Sequence, residues 1–265
     1  MKIEFTKIHG TGNDMIMIEN MDGALNLSKE QITYLCDRHF GIGADGLILL
    51  EHRGGDADCY MNYYNNDGSQ VEMCGNGLRC TVDYFRNRIG NQNTVLRVDT
   101  RSGIKQVRVE DTDNAYTVNM GKPSFVSPDF PAKTTNLFGF NFHFVSIGNP
   151  HAVAFVPKVD SIPLESVGPN IETHDYFPHG INVEFVEVQD KDTIKVRVWE
   201  RGCGPTLACG TGACASFAVS RKIHNIEANA KVLLPGGILA ISENTKGELI
   251  MTGAVQTVFS GTIEV

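Results

Sequence analysis

The stretches "MCGNGLRC" at Met73–Cys80 and "ACGTGACAS" at Ala208–Ser216 are two versions of one phrase. Each sets a cysteine directly before Gly-polar-Gly and then a run able to form a helix. The match extends upstream. Gly12-Asn13 precedes the first cysteine and Gly148-Asn149 the second, with glycine and cysteine 62 and 61 positions apart. Nine positions before each cysteine, Asn65 and Glu200 each close an expected strand. Near-equal offsets between matched motifs indicate duplication. The expected fold is therefore mixed α/β (α+β) in two pseudo-symmetric lobes, each presenting one cysteine turn.

The flanking patterns supply the rest of each lobe. "KIEFTKI" and "DMIMIEN" alternate as strands, and Ser28 with Gln31 forms the capping box of a helix expected to run to Gly41. "LILLEH" and "CYMNYY" read as strands. After Cys74, the residues Leu78, Val82, Phe85 and Ile89 recur at helical spacing. "TVLRVDT", "KQVRVED" and "AYTVNM" read as antiparallel strands. "GKPSFVSPDFPAKTTN", rich in Pro, Ser and Thr, is the expected linker. The second half then repeats the plan, with strands "FHFVSIG", "AVAFV", "NVEFVEV" and "TIKVRVW". "GTGACASFAVSRKI" is a helix apolar nearly all round, so it should lie inside its sheet. Four further strands close the chain: "KVLLP", "LAIS", "ELIMTG" and "VQTVFSGTIEV".

Composition excludes several classes. The chain has 265 residues, 42% hydrophobic and 20% charged, with a formal charge of −8. That balance argues against nucleic acid as a partner, which calls for clustered Lys and Arg. No signal-like N-terminal segment occurs, and no apolar run approaches the roughly 20 residues that span a bilayer. A cytoplasmic location without a membrane partner is expected. Seven cysteines, an odd set, do not suggest a disulfide framework, and neither a CxxC pair nor a His-rich cluster marks a metal site. Cys36 and Cys59 read as small buried hydrophobes. "GIGADG" at Gly41–Gly46 meets the GxGxxG pattern, but it follows a helix and precedes a strand, the reverse of a dinucleotide fingerprint. P-loop, HExxH and GxSxG patterns are absent.

The cysteine turns carry chemistry. A cysteine at a helix mouth sits at the positive end of the macrodipole, which favours thiolate. The N–H groups of Gly75 and Asn76, and of Gly210 and Thr211, fall where a helix leaves its first donors without carbonyls, making an anion seat beside each sulfur. Two such seats facing each other would hold one carboxylate with a thiol on either side.

These motifs, with "KIHGTGND", "RHFGIGADGLIL", "NNDGSQVEMCGNGLRC", "IGNPHAV", "GINVEF" and "WERGCGPTLACGTGACA", resemble the diaminopimelate epimerase family nearly end to end. The resemblance implies two lobes, each a mostly antiparallel sheet curled around a central helix. They would divide as residues 1–119, rejoined by a C-terminal strand near 254–265, and residues 120–253. It further implies amino-acid epimerisation without a cofactor, by Cys74 and Cys209 as acid and base, in a homodimer. Gly75, Asn76, Gly210 and Thr211 would bind the reacting carboxylate. Asn13, Asn65, Asn149, Asn182, Glu200 and Arg201 would grip the amino groups and the distal carboxylate.

Alternatives stay open on the residues alone. Asn13 and Asn149 could be turn formers, Asn65 could cap the "NNDG" turn, and Arg201 could be a surface ion pair. Pro205, Cys203 and Gly46 depart from residues frequent in the family, which bears on substrate range. A same-fold racemase of another amino acid such as histidine is the nearest rival. A thiol redox protein and a non-catalytic amino-acid-binding protein are more distant ones.

Overall fold

Each half of the chain builds the same unit from the same succession of elements. In a computed structural model, which describes residues 1–70, 72–111 and 114–265, the first half contains seven strands and two helices. They are β1 (Lys2–Gly10), β2 (Asn13–Glu19), α1 (Lys29–Cys36), β3 (Gly46–Glu51), β4 (Cys59–Asn65), α2 (Gly75–Ile89), β5 (Val95–Asp99), β6 (Lys105–Val109) and β7 (Ala115–Gly121). There follow β8 (Thr135–Leu137), β9 (Phe140–Ser146), β10 (Pro150–Phe155), α3 (Leu164–Glu172), β11 (Asn182–Val188), β12 (Thr193–Glu200) and β13 (Gly204–Thr206). The chain ends with α4 (Gly210–His224), β14 (Asn229–Leu234), β15 (Gly237–Glu243) and β16 (Leu249–Glu264). Two compact units result: Met1–Val118 with Gly253–Val265, and Asn119–Thr252.

In the first unit most neighbouring strands are antiparallel, but β2 pairs β3 and β4 pairs β5 in parallel. A parallel neighbour demands a crossover. The crossovers are α1 and α2, and α2 packs against β1 through β6, so the sheet curls around it. Residues Val255–Glu264 of β16 pair with β1 along its whole length. The second unit has the same grammar. There β10 pairs β11 and β12 pairs β14 in parallel, with α3 and α4 as crossovers, and α4 packs against β9, β10, β11, β12, β14 and β15.

The registers align the two copies residue by residue. His151 faces Asn182 and Val153 faces Glu184 across β10 and β11. Met15 faces Gly46 and Met17 faces Ile48 across β2 and β3. His151 and Glu184 therefore occupy the places of Met15 and Ile48.

Leu78, Val82 and Phe85 of α2 are buried as the helical spacing requires, while Ile89 at its end is exposed. In α4 every residue from Gly212 to Ser220 is buried, the signature of a helix enclosed on all sides. Both helices stop at a left-handed cap, Gly90 and Asn225.

Three expectations are corrected. Helix α1, capped by the Ser28–Gln31 box, ends at Cys36 rather than at Gly41. Asp37 turns extended, and its Oδ1 accepts from the N–H groups of His39 and Phe40, which offers the backbone a turn in place of another helical bond. The Pro-rich stretch is not a linker, for Ser124 bridges Ser146 and Phe130 is buried in the second unit's core, stacked on Phe144 at 5.7 Å. "ELIMTG" and "VQTVFSGTIEV" form one strand of 16 residues, because nothing between them forces a turn.

Candidate active site

In the first unit the turn of β1 into β2 sets the site. Thr11 and Gly12 both have positive φ, 56° and 83°, the geometry of a two-residue hairpin loop. The turn delivers Asn13 as the first residue of β2. Its Nδ2 donates to Asp45 (2.9 Å), and its Oδ1 accepts from Asn76 Nδ2 (3.2 Å) and from the Cys74 thiol (3.9 Å). Cys74 is the N-cap of α2, and its sulfur accepts from the N–H of Gly77 at 3.4 Å. Behind this layer lies Arg79, fully buried, donating to Asn76 Oδ1 (3.0 Å) and Thr11 Oγ1 (3.2 Å). The bond to Thr11 offsets the strain of a non-glycine residue at positive φ.

Asn13 is braced by charge. Asp14 pairs with Lys7 (2.7 Å) and Arg38 (2.8 Å), and Arg38 also reaches Asp45. Burial pushes the Asp14 carboxyl up, but Arg38 and Lys7 outweigh it and hold it at about 2. Asp45, whose Oδ2 anchors Asn13, is pushed up by burial and by the charge of Asp14.

In the second unit Cys209 is the N-cap of α4, its sulfur accepting from the N–H of Gly212 at 3.3 Å. Its surroundings are acidic. Thr211 Oγ1 lies 3.4 Å from the sulfur and accepts from Asn149 Nδ2, also at 3.4 Å. His151 Nε2 meets Asn149 Oδ1 at 3.0 Å, and His151 Nδ1 meets Glu184 Oε1 at 2.7 Å, with both His151 and Glu184 fully buried. On the other side Glu200 accepts from the Thr206 hydroxyl and hydrogen-bonds Cys209. Burial pushes both carboxyls up.

At Cys209 the helix end works against burial and nearby acidic groups. Burial raises this thiol well above its ordinary value, the charges of Glu200 and Glu184 raise it further, and the bonds from Thr211 and Gly212 only partly oppose them. Cys209 as a residue is 5% exposed. Cys36 and Cys59 are buried, with thiols pushed by burial to about 12. Cys80 and Cys214 are buried too, and Cys203 is exposed.

The remaining expected residues divide. Asn65 turns its Nδ2 to Ser69 Oγ (3.4 Å) in the "NNDG" turn. Asn182 is buried and holds two backbones together, donating to the Pro150 carbonyl (2.9 Å) and accepting from the Arg201 N–H (3.0 Å). Arg201 is exposed, its Nη1 on the His179 carbonyl. Its loop is pinned by Glu172, which accepts from Trp199 Nε1 and from the Gly202 N–H, each at 2.7 Å. Gly75, Asn76, Gly210 and Thr211 form the first turns of α2 and α4. Sequence reading passed over Arg79, His151 and Glu184. Glu184 lies two positions beyond Asn182 on β11, so the period-2 rule could have put both on one sheet face. Among the described residues, no group of three or more His, Cys, Asp or Glu side chains is arranged to hold a metal ion, and no helix is long and apolar enough to cross a membrane.

Comparisons with known proteins follow the same lines. Residues 5–126 and 143–258 match the family model for diaminopimelate epimerase. The chain is 40% identical over 285 residues to the diaminopimelate epimerase of Prochlorococcus marinus (strain NATL2A), covering 100% of both. Among solved structures, a Bacillus anthracis phenazine biosynthesis protein shares the fold at a TM-score of 0.74 and 15% identity, with 100% of both chains covered. A hydroxyproline epimerase from Agrobacterium vitis does so at 0.70 and 16%, covering 99% of this chain and 91% of its own.

Proposed function

The chain belongs to the diaminopimelate epimerase family, and we propose that it interconverts L,L- and meso-diaminopimelate by proton transfer between two cysteines and the α-carbon. What carries the reading is the duplicated N-cap. Each sulfur tops a buried helix, takes the third amide N–H of that helix, and leaves Gly-Asn or Gly-Thr beside it to receive a carboxylate. One thiolate abstracts the α-proton as general base, and the other thiol delivers a proton to the opposite face. The two cysteines exchange these roles when the reaction runs in the reverse direction. The two helix ends stabilise the carbanion's charge through the substrate carboxylate, without a cofactor.

Asn13, Asn149 and Glu200 lie within the hydrogen-bond sets of the sulfurs and are assigned to the reacting centre. Arg201 presents an exposed guanidinium on a braced loop, suited to the distal carboxylate, and Asn182 holds that loop in place. Asn65 is carried over from the family resemblance alone, as is the homodimer. A reduced cytoplasm suits a site that needs free thiols.

Turnover of L,L-diaminopimelate in heavy water tests the reading. The abstracting sulfur takes protium while the opposite one returns deuterium from solvent. Early meso product should be deuterated, and the returned substrate should stay protiated. A protiated early product would remove the two-carrier mechanism, and no α-proton exchange at all would remove the activity.

A further inference from the structure

Asn13 and Asn149 hold matching places in the two units, each two positions before the matched pair Met15 and His151, yet their amides point in opposite directions. Asn13 turns Oδ1 to the mouth of α2, where it accepts from Asn76 Nδ2 (3.2 Å) and from the Cys74 thiol (3.9 Å). Asn149 turns Nδ2 to the mouth of α4, on Thr211 Oγ1 at 3.4 Å. An asparagine amide offers oxygen on one side and nitrogen on the other, and the two sides are alike in shape. The group behind each amide therefore decides which atom comes forward. Behind Asn149 is His151 Nε2, 3.0 Å from Oδ1. Behind Asn13 is Asp45 Oδ2, which accepts from Nδ2 at 2.9 Å.

The direction of Asn13 is fixed from both ends. Asp45 accepts on each of its oxygens, with Oδ1 taking Arg38 Nη2 (2.8 Å) and Oδ2 taking the Asp14 N–H (3.2 Å) beside Asn13. At the other end Arg79, whose side chain has donors alone, gives Nη2 to Asn76 Oδ1 at 3.0 Å. That bond turns Asn76 Nδ2 toward Asn13, where an oxygen must receive it. Arg79 is itself held under the β1–β2 turn. It donates to Thr11, and a Cβ on Gly10 would stand 3.1 Å from Nη2. Reversing Asn13 would set two nitrogens together at Asn76 and two oxygens together at Asp45.

We infer that Asp45 and Arg79 are positioning residues that lock Asn13 with its carbonyl oxygen beside Cys74, where it receives the ammonium group of an amino acid and repels the carboxylate. The carboxylate is left to the N–H groups of Gly75 and Asn76, so the α-carbon enters one way round. A reversed amide would present N–H to the carboxylate and lose that distinction. The consequence for substrate rests on the epimerase reading, but the direction of the amide can be observed without turnover.

Asn13→Asp puts an oxygen where the nitrogen faced Asp45, and should lower kcat/KM about a hundredfold. Adding Asp45→Asn restores a donor between the two positions with the bond reversed, and should recover about tenfold of that loss. If Asp45 merely braced its loop, the second substitution would deepen the loss, and that result would overturn the inference. Neutron diffraction from ligand-free wild-type crystals in heavy water decides the matter whether or not the variants fold. Deuterons on the Asn13 nitrogen facing Asp45 and on the Asn76 nitrogen facing Asn13 support the lock. A deuterated Asn13 nitrogen facing Cys74 overturns it. Wild-type protein without turnover would sink the epimerase reading, and the deuteron positions would still decide the lock.

Discussion

The two helix mouths share a backbone and differ in charge. At α2 the layer behind the cysteine is Asn13, Asn76 and the buried cation Arg79. At α4 it is Thr211, Asn149, His151 and two carboxyls, Glu184 and Glu200. The position of Arg79, five residues past Cys74, holds Cys214 in the second copy. Duplication preserved the N-cap geometry, which places the sulfurs, while substitution behind it made one mouth cationic and the other acidic. The two thiols therefore meet unlike surroundings in a backbone frame that is the same.

The comparison breaks most directly at the sulfurs. Cys74→Ala and Cys209→Ala should each lower epimerisation by at least the roughly 10²–10⁴-fold attached to a general acid or base. Cys80→Ala and Cys214→Ala, about one and a half helical turns further in, should cost far less activity. If Cys80→Ala matched Cys74→Ala, the pairing of like with like would be wrong.

Acid should act on the first mouth through its brace. Asp14 sits at about 2 in the folded chain, below its ordinary value near 4. A depressed carboxyl stabilises the fold above its unfolded value, and that contribution is lost as pH falls from about 4 toward 2. Allowing for the exposure of Arg38 and for Asp45, which Asp14 pushes the other way, the loss is on the order of 1–2 kcal/mol. Urea unfolding followed from pH 5 to 2 should show this fall, and Asp14→Asn should flatten it. An unchanged slope in the variant would dismiss the brace.

The finest test compares the thiols themselves. In ligand-free protein near pH 7.5, iodoacetamide should label Cys74 about tenfold faster than Cys209, which is both buried and ringed by carboxyls. Equal rates would mean that the charges behind the mouths do not reach the sulfurs.

How far the sequence could be read follows from which interactions are local. The capping box at Ser28 and the spacing of Leu78, Val82 and Phe85 are decided within a few residues, and both were legible. So was the repeat, because Asn65 and Glu200 end matched strands nine residues before matched cysteines. Phe130 was illegible in its Pro-rich setting, since only the core it fills reveals it. The acidity around Cys209 was illegible for a related reason. Glu184 and Glu200 come from different strands, and their charges outweigh the local helix end only after folding brings them together.

One feature of the last strand bears on how the chain comes to be folded at all. Residues Val255–Glu264 cover the full edge of β1, which is synthesised before every other element among the described residues. The first unit is discontinuous in sequence, whereas Asn119–Thr252 is one unbroken run. During translation the later unit therefore has all its parts before the earlier one does. Until residue 264 has emerged, β1 keeps an open row of backbone donors and acceptors, an edge prone to pairing with another chain. The order of synthesis and the order of completion of the two units are opposite.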